Sequence, residues 1–142
     1  MKIRVGTFNL FQFVEPPYWW YTKHERFKQE EWEEKIVWIK NQITEMNCDV
    51  IGFQEVFSKK ALKELLKELG FKYFKTIDGA KTDPKNEFIY ITTTVALASK
   101  YPIKDLNRVE TNHDTVKKHH LNGIFKFARE PIKASIILPN KQ

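Results

Sequence analysis

Apolar residues recur at helical spacing between Phe27 and Met46: Trp32, Ile36, Ile39, Ile43 and Met46 step by four, three, four and three. That rhythm keeps one face of a helix apolar. Glu30, Glu31, Glu33 and Glu34 fall in its early turns, where the helix dipole favours anions, and Asn47 is a natural stop. A second stripe, Leu62, Leu65, Leu66 and Leu69, predicts a shorter helix over Lys59–Leu69, capped by Ser58 and ended by Gly70. The β-prone runs Ile3–Leu10, Asp49–Glu55, Phe71–Ile77, Phe88–Ser99, Leu121–Ala128 and Ile132–Leu138 read as strands. Phe11–Lys23, with two prolines and the run Tyr18–Trp19–Trp20–Tyr21, reads as a long loop. Asp78–Glu87 reads as a turn-rich loop, and Lys100–Tyr101–Pro102 closes the long apolar run before it. Strand, helix, strand, helix and then further strands describe an α/β (α+β) layered domain.

One geometric consequence bears on function. A strand at Ile3–Asn9, a long helix and a strand at Asp49–Glu55 form a βαβ unit, whose strands run parallel with a right-handed crossover. Asn9 and Glu55 then share the carboxyl edge of one sheet, where open α/β sheets hold their ligands.

Composition narrows the class. The chain has 142 residues, 42% of them hydrophobic and 30% charged, which suits a single globular unit and excludes wholesale disorder. No stretch approaches the roughly 18 apolar residues of a membrane span. The start, MKIRVGTFNLFQF, does not read as a secretory signal, so a cytoplasmic location is expected. The single cysteine, Cys48, excludes an internal disulfide and a cysteine-based zinc cluster, and it reads as buried filler. A net charge of +6 leans towards polyanionic partners such as nucleic acid, phospholipid or phosphoesters.

A carboxylate beside an amide suits a hard cation. Magnesium takes oxygen ligands, commonly one or two carboxylates, and leaves its other positions to water and substrate phosphate. Glu55 is the candidate to hold such an ion, and Asn9 to orient a phosphate or a nucleophile. The plainer alternative is two solvated residues at strand ends.

Four strings, TFNL (Thr7–Leu10), DVIGFQEV (Asp49–Val56), VALASKYPI (Val95–Ile103) and FAREP (Phe127–Pro131), occur in that order. Together they resemble the endonuclease/exonuclease/phosphatase superfamily, which has the DNase I-like fold. The resemblance covers nearly the whole chain and implies a magnesium-dependent phosphoesterase, with manganese as a substitute ion. It implies that Glu55 is the main metal ligand, with Asn9 beside it at the metal and the scissile phosphate. It also implies that Arg129 contacts substrate phosphate, a task that suits the fixed donor fork of a guanidinium. The alternative for Arg129 is a surface residue paired with Glu130 or another acid.

The departures are as informative. Superfamily members are longer, and their second half carries a catalytic histidine, a GDxN-type motif and a terminal SDH-type motif. None stands here: His24, His113, His119 and His120 lie in other contexts, and Asp105–Leu106–Asn107 falls in a loop after Pro102 with no glycine before it. The expectation is one partial domain over residues 1–142: one sheet layer with two flanking helices, inactive alone. Its inner sheet face would expose Ile51, Phe53, Val95, Leu97, Phe125 and Phe127. Such a face drives self-association or calls for a complementing C-terminal half. The turn-like Pro139–Asn140–Lys141–Gln142 reads as a cut within a domain.

A different class of function stays open: a non-catalytic, basic module binding nucleic acid or a phosphorylated partner through Arg129 and the lysine clusters. Lys117–Lys118–His119–His120 would steer a polyanion or be a solvated loop. Tyr18, Trp19, Trp20 and Tyr21 would stack on bases, rest at a lipid interface or pack over the edge of the core.

Overall fold

Burial of the two leucine- and isoleucine-rich stripes organises the chain around a mixed sheet. The structure, a computed structural model, describes residues 1–22, 24–110, 113–118 and 127–140. Its elements run β1 (Val5–Phe13), β2 (Trp19–Trp20), α1 (Gln29–Met46), β3 (Val50–Val56), α2 (Lys59–Glu68) and β4 (Tyr73–Lys75). They continue with β5 (Thr82–Asp83), β6 (Asn86–Tyr90), β7 (Thr94–Ser99), β8 (Ile103–Arg108), α3 (His113–Lys118) and β9 (Ile132–Ile136).

The main sheet has four strands in the order β1-β3-β7-β4. β1 and β3 are parallel and α1 connects them. β7 runs antiparallel to both β3 and β4, so β3 and β4 point the same way. Helices α1 and α2 cover one face. Trp32, Ile39 and Ile43 of α1 and Leu62, Leu65 and Leu66 of α2 are buried there against Ile51, Phe53, Ala96 and Ala98. Glu31 reaches back to the Lys28 N–H at 2.9 Å to hold the start of α1, and Asn47 ends it in the left-handed region at φ 48°. Gly70 follows α2 at φ 92°, where a side chain would be strained.

Several sequence expectations change. β1 does not stop at Leu10 but continues to Phe13, taking the first residues of the expected loop. Of the alternatives for the aromatic run, packing over the edge of the core holds for Tyr18 and Trp20, while Tyr21 is exposed. Trp20 is buried with Val14 and Phe57 in a second apolar cluster flanked by Tyr18, Phe27 and Tyr90. The expected loop at Asp78–Glu87 contains β5 and the first two residues of β6, which pair antiparallel. The single run Phe88–Ser99 is two strands in different sheets. Ile91 gives its N–H to Lys81 O at 2.8 Å, and the Thr93 hydroxyl hooks onto Val56 O at 3.1 Å, so the chain switches sheets at residues 91–93.

Ser58 stands at the N-cap of α2, as expected, but makes no side-chain cap bond: its Oγ instead accepts the Glu15 N–H at 2.9 Å, tying the loop after β1 to the start of α2. The segment after Pro102, with Asp105 and Asn107, is strand β8, paired with β9. Of the expected strand Leu121–Ala128, residues 121–126 lie outside the described residues, as do His119, His120, Lys141 and Gln142. Phe127 and Ala128 are exposed and form no strand.

The expected inner face is also corrected. Ile51 and Phe53 are fully buried beneath the helices, whereas Val95 and Leu97 alternate with Ala96 and Ala98 and point to the opposite face. That second face also carries Val5, Thr7, Gly52 and Gln54. Val5 is 68% exposed, and Thr7 and Gln54 are linked by hydrogen bonds of 3.2 and 2.9 Å. Among the described residues it is half-polar rather than a continuous apolar sheet. Phe127 is 44% exposed in the segment before β9, and Phe125 lies outside the described residues.

Candidate metal and phosphate site

Asn9 and Glu55 lie where the main sheet breaks its register. β1 and β3 pair regularly as far as Asn9↔Gln54, and pairing resumes at Phe13↔Val56. Leu10, Phe11 and Gln12 therefore stand against Glu55 alone. That bulge is in β1, and β3 bulges on its other side: between Phe53↔Ala96 and Val56↔Thr94, Gln54 and Glu55 face Val95. Glu55 is the extra residue of that bulge.

The bulge bends backbone around the carboxylate. Phe11, Gln12 and Glu55 all have positive φ, at 49°, 60° and 58°. For residues with a Cβ this region costs on the order of 1–2 kcal/mol each. The conformation is held because the neighbouring Leu10, Phe13 and Val56 are locked in the core. Strain concentrated this way is characteristic of sites that position a group for binding.

The result is an ordered set of polar contacts. The Gln12 N–H donates to Glu55 Oε2 at 2.8 Å. Asn9 Nδ2 faces Glu55 Oε1 at 3.4 Å, while Asn9 Oδ1 accepts the Phe11 N–H at 2.9 Å. That backbone bond fixes the amide with its nitrogen towards the carboxylate. Asn9 is thus arranged as a donor beside a half-buried acid, and Glu55 Oε1 carries only one long contact among the described hydrogen bonds.

Lys35 is the residue that sequence reasoning missed. It sits at the edge of the buried face of α1 and sends Nζ to Phe11 O at 2.8 Å. The ammonium also lies 5.8 Å from the Phe11 ring centroid and 5.1 Å from that of Phe27. Burial lowers its pKa from the ordinary lysine value, and the nearby charge of Glu55 opposes that shift. The only signal in the sequence was a lysine beside the apolar stripe, three positions after Trp32 and four before Ile39.

Arg129 is placed differently. It is exposed in the bend before β9 and donates from Nη1 to the adjacent Ala128 O at 2.6 Å. No described contact joins it to Asn9 or Glu55. Its neighbour Glu130 pairs with Arg108 at 2.7 Å, fastening the end of β8 to the start of the β9 segment.

Chemically, the rim offers one carboxylate and one amide donor, with a cation behind them. Among the described residues no group of three or more His, Cys, Asp or Glu side chains gathers to form an all-protein metal cage. One carboxylate still fits magnesium, which usually keeps several waters and takes the rest of its shell from substrate. Among the described residues no helix is long and apolar enough to cross a membrane. Compared with protein-family models, curated proteins and solved structures, the chain matches none.

Proposed function

We propose that this chain is the N-terminal part of a magnesium-dependent phosphoesterase on the DNase I-like plan. The observation that carries the reading is the meeting of Asn9 and Glu55 at 3.4 Å on the carboxyl rim of parallel strands, inside a strained double bulge. The four strings of the resemblance support it, since two of them contain these residues.

In this reading Glu55 would hold the divalent ion, its Oε2 anchored by the Gln12 N–H. Bound there, magnesium supplies charge for a phosphoryl oxygen and for the leaving oxygen. Asn9 Nδ2 donates to a non-bridging oxygen, its orientation set by the Phe11 N–H. Lys35 contributes a positive charge behind the bulge, held there by its bond to Phe11 O. The resemblance assigns Arg129 a phosphate contact, but its one described bond is to Ala128 O, so the reading rests on Asn9 and Glu55. The base that activates water lies outside the resemblance present in these 142 residues, so the chain alone turns over no phosphoester.

The test is manganese binding, followed by the relaxation of solvent protons, with hydrolysis of plasmid DNA and p-nitrophenyl phosphates alongside. Wild type binds one ion competed by magnesium, and Glu55→Gln weakens binding at least about tenfold, the effect of ~1.4 kcal/mol. Binding that is indifferent to Glu55→Gln overturns the metal site. Robust hydrolysis by the purified chain overturns the claim that its machinery is incomplete.

A further inference from the structure

The flank of α2 carries a groove that the rim chemistry does not use. Two clefts of about 350 and 380 Å³ adjoin, sharing Lys59 and Lys60 in their walls. One end is aromatic: Tyr18 and Tyr90 stack with centroids 5.1 Å apart and planes at 30°, and Phe57 lies 5.6 Å from Tyr90. The other end is cationic, lined by Lys63 and Lys75 together with the half-buried Phe74.

The charges here are uncompensated. Lys59 and Lys63 lie one turn apart on the same exposed flank of α2, an i, i+4 like-charge pair that disfavours the helix. None of Lys59, Lys60, Lys63 and Lys75 has an ion-pair partner among the described residues, whereas Lys40 is paired with Glu68 at 2.6 Å on another flank. Glu15, the one acid in the lining, stands at the aromatic end. The groove is therefore polarised: flat rings and an acid at one end, bare ammonium groups at the other.

Its place in the fold is equally specific. α2 begins immediately after β3, so Lys59 and Lys60 stand near the carboxyl rim that also carries Glu55, while Lys75, opposite Leu97 and so level with Gly52, continues the groove back along the sheet. Ligands of open α/β sheets lie along this edge.

The geometry points to a binding groove for single-stranded nucleic acid, with a base stacked at Tyr18 and the following phosphates on Lys59, Lys60, Lys63 and Lys75. Stacking needs an exposed base face, which a duplex withholds, and lysines on a helix flank follow a flexible backbone. The groove works through charge and stacking, so it stands whether or not the Glu55 rim cleaves a phosphoester.

Fluorescence anisotropy of a short labelled oligothymidylate tests this. The chain is expected to bind it with log K falling against log salt at a slope of about −3, the value for four lysines on a single strand. Lys63→Ala/Lys75→Ala is expected to weaken binding about tenfold or more and to flatten the slope by about 1.4. Tyr18→Leu weakens binding about tenfold at unchanged slope, while Tyr18→Phe, which keeps the ring, binds as wild type. Lys117→Ala/Lys118→Ala in α3, which removes the same charge elsewhere, leaves binding unchanged. EDTA also leaves it unchanged, which separates this groove from the metal site. Absence of binding at low salt overturns the inference. So does equal weakening by the α2–β4 and α3 lysine pairs, or duplex binding as tight as single-strand binding. The lysine variants lie on the surface, so their result stands even if Tyr18→Leu fails to fold.

Discussion

Lys35 crosses from α1 to the bulge of β1, where its ammonium donates to the Phe11 carbonyl at 2.8 Å within the field of Glu55. Its titration reports on the candidate site directly. Burial disfavours the charged amine and lowers the pKa below 10.5, while Glu55 pushes it back up. In a carbon-detected NMR titration the Lys35 Cε signal should therefore turn at lower pH than those of exposed lysines. Glu55→Gln, which removes the opposing charge, should move it lower still. An unchanged midpoint in Glu55→Gln would show that the two groups do not interact. The folded state binds the proton less tightly than the unfolded chain, so the penalty is present in full below the folded pKa. It is relieved as pH rises from there towards 10.5, and wild type gains stability relative to Lys35→Met across that window.

Gly6 is set by close approach. A Cβ there would lie 2.8 Å from both Cys48 Sγ and Met46 Cε. The methionine methyl can swing aside, but the short, buried cysteine cannot. Gly6→Ala should cost about 1–3 kcal/mol by urea denaturation. Cys48→Ala in the same chain should recover part of that cost, a coupling of at least about 0.5 kcal/mol. Additive effects would remove the steric explanation.

The two faces of the main sheet should respond unequally. Phe53, fully buried under the helices, should cost about 3–5 kcal/mol as Phe53→Ala. Leu97, half-buried on the other face, should cost only about 1 kcal/mol as Leu97→Ala. A Cβ at Gly52 meets nothing within 4 Å, so Gly52→Thr should stabilise by about 0.5–1 kcal/mol. Comparable costs at Phe53 and Leu97, with a loss at Gly52, would mean that another surface covers this face in solution.

Much of the scaffold was legible along the chain because it is local or periodic. The stripes from Trp32 to Met46 and from Leu62 to Leu69 are the buried sides of α1 and α2, and Asn47 and Gly70 do end them in left-handed backbone. The side chains of Asn9 and Glu55, far apart along the chain, meet as the βαβ geometry requires. The split of Phe88–Ser99 into two strands was not legible. Its apolar content is continuous, and the break is enforced by Lys81 and Val56 from elsewhere in the chain. Ser58 does occupy the N-cap of α2, but that its hydroxyl serves the Glu15 N–H rather than the helix was not legible, because Glu15 is 43 residues away.

The amino-acid order by itself determined the helices, their ends, the parallel strand pair and the presence of Asn9 and Glu55 at its carboxyl edge. These follow from side-chain period and chain connectivity. Only the tertiary structure decided what those two residues do to each other. The paired bulges, the left-handed backbone at Phe11, Gln12 and Glu55, and the arrival of Lys35 each depend on contacts between segments distant in sequence, which no local preference encodes.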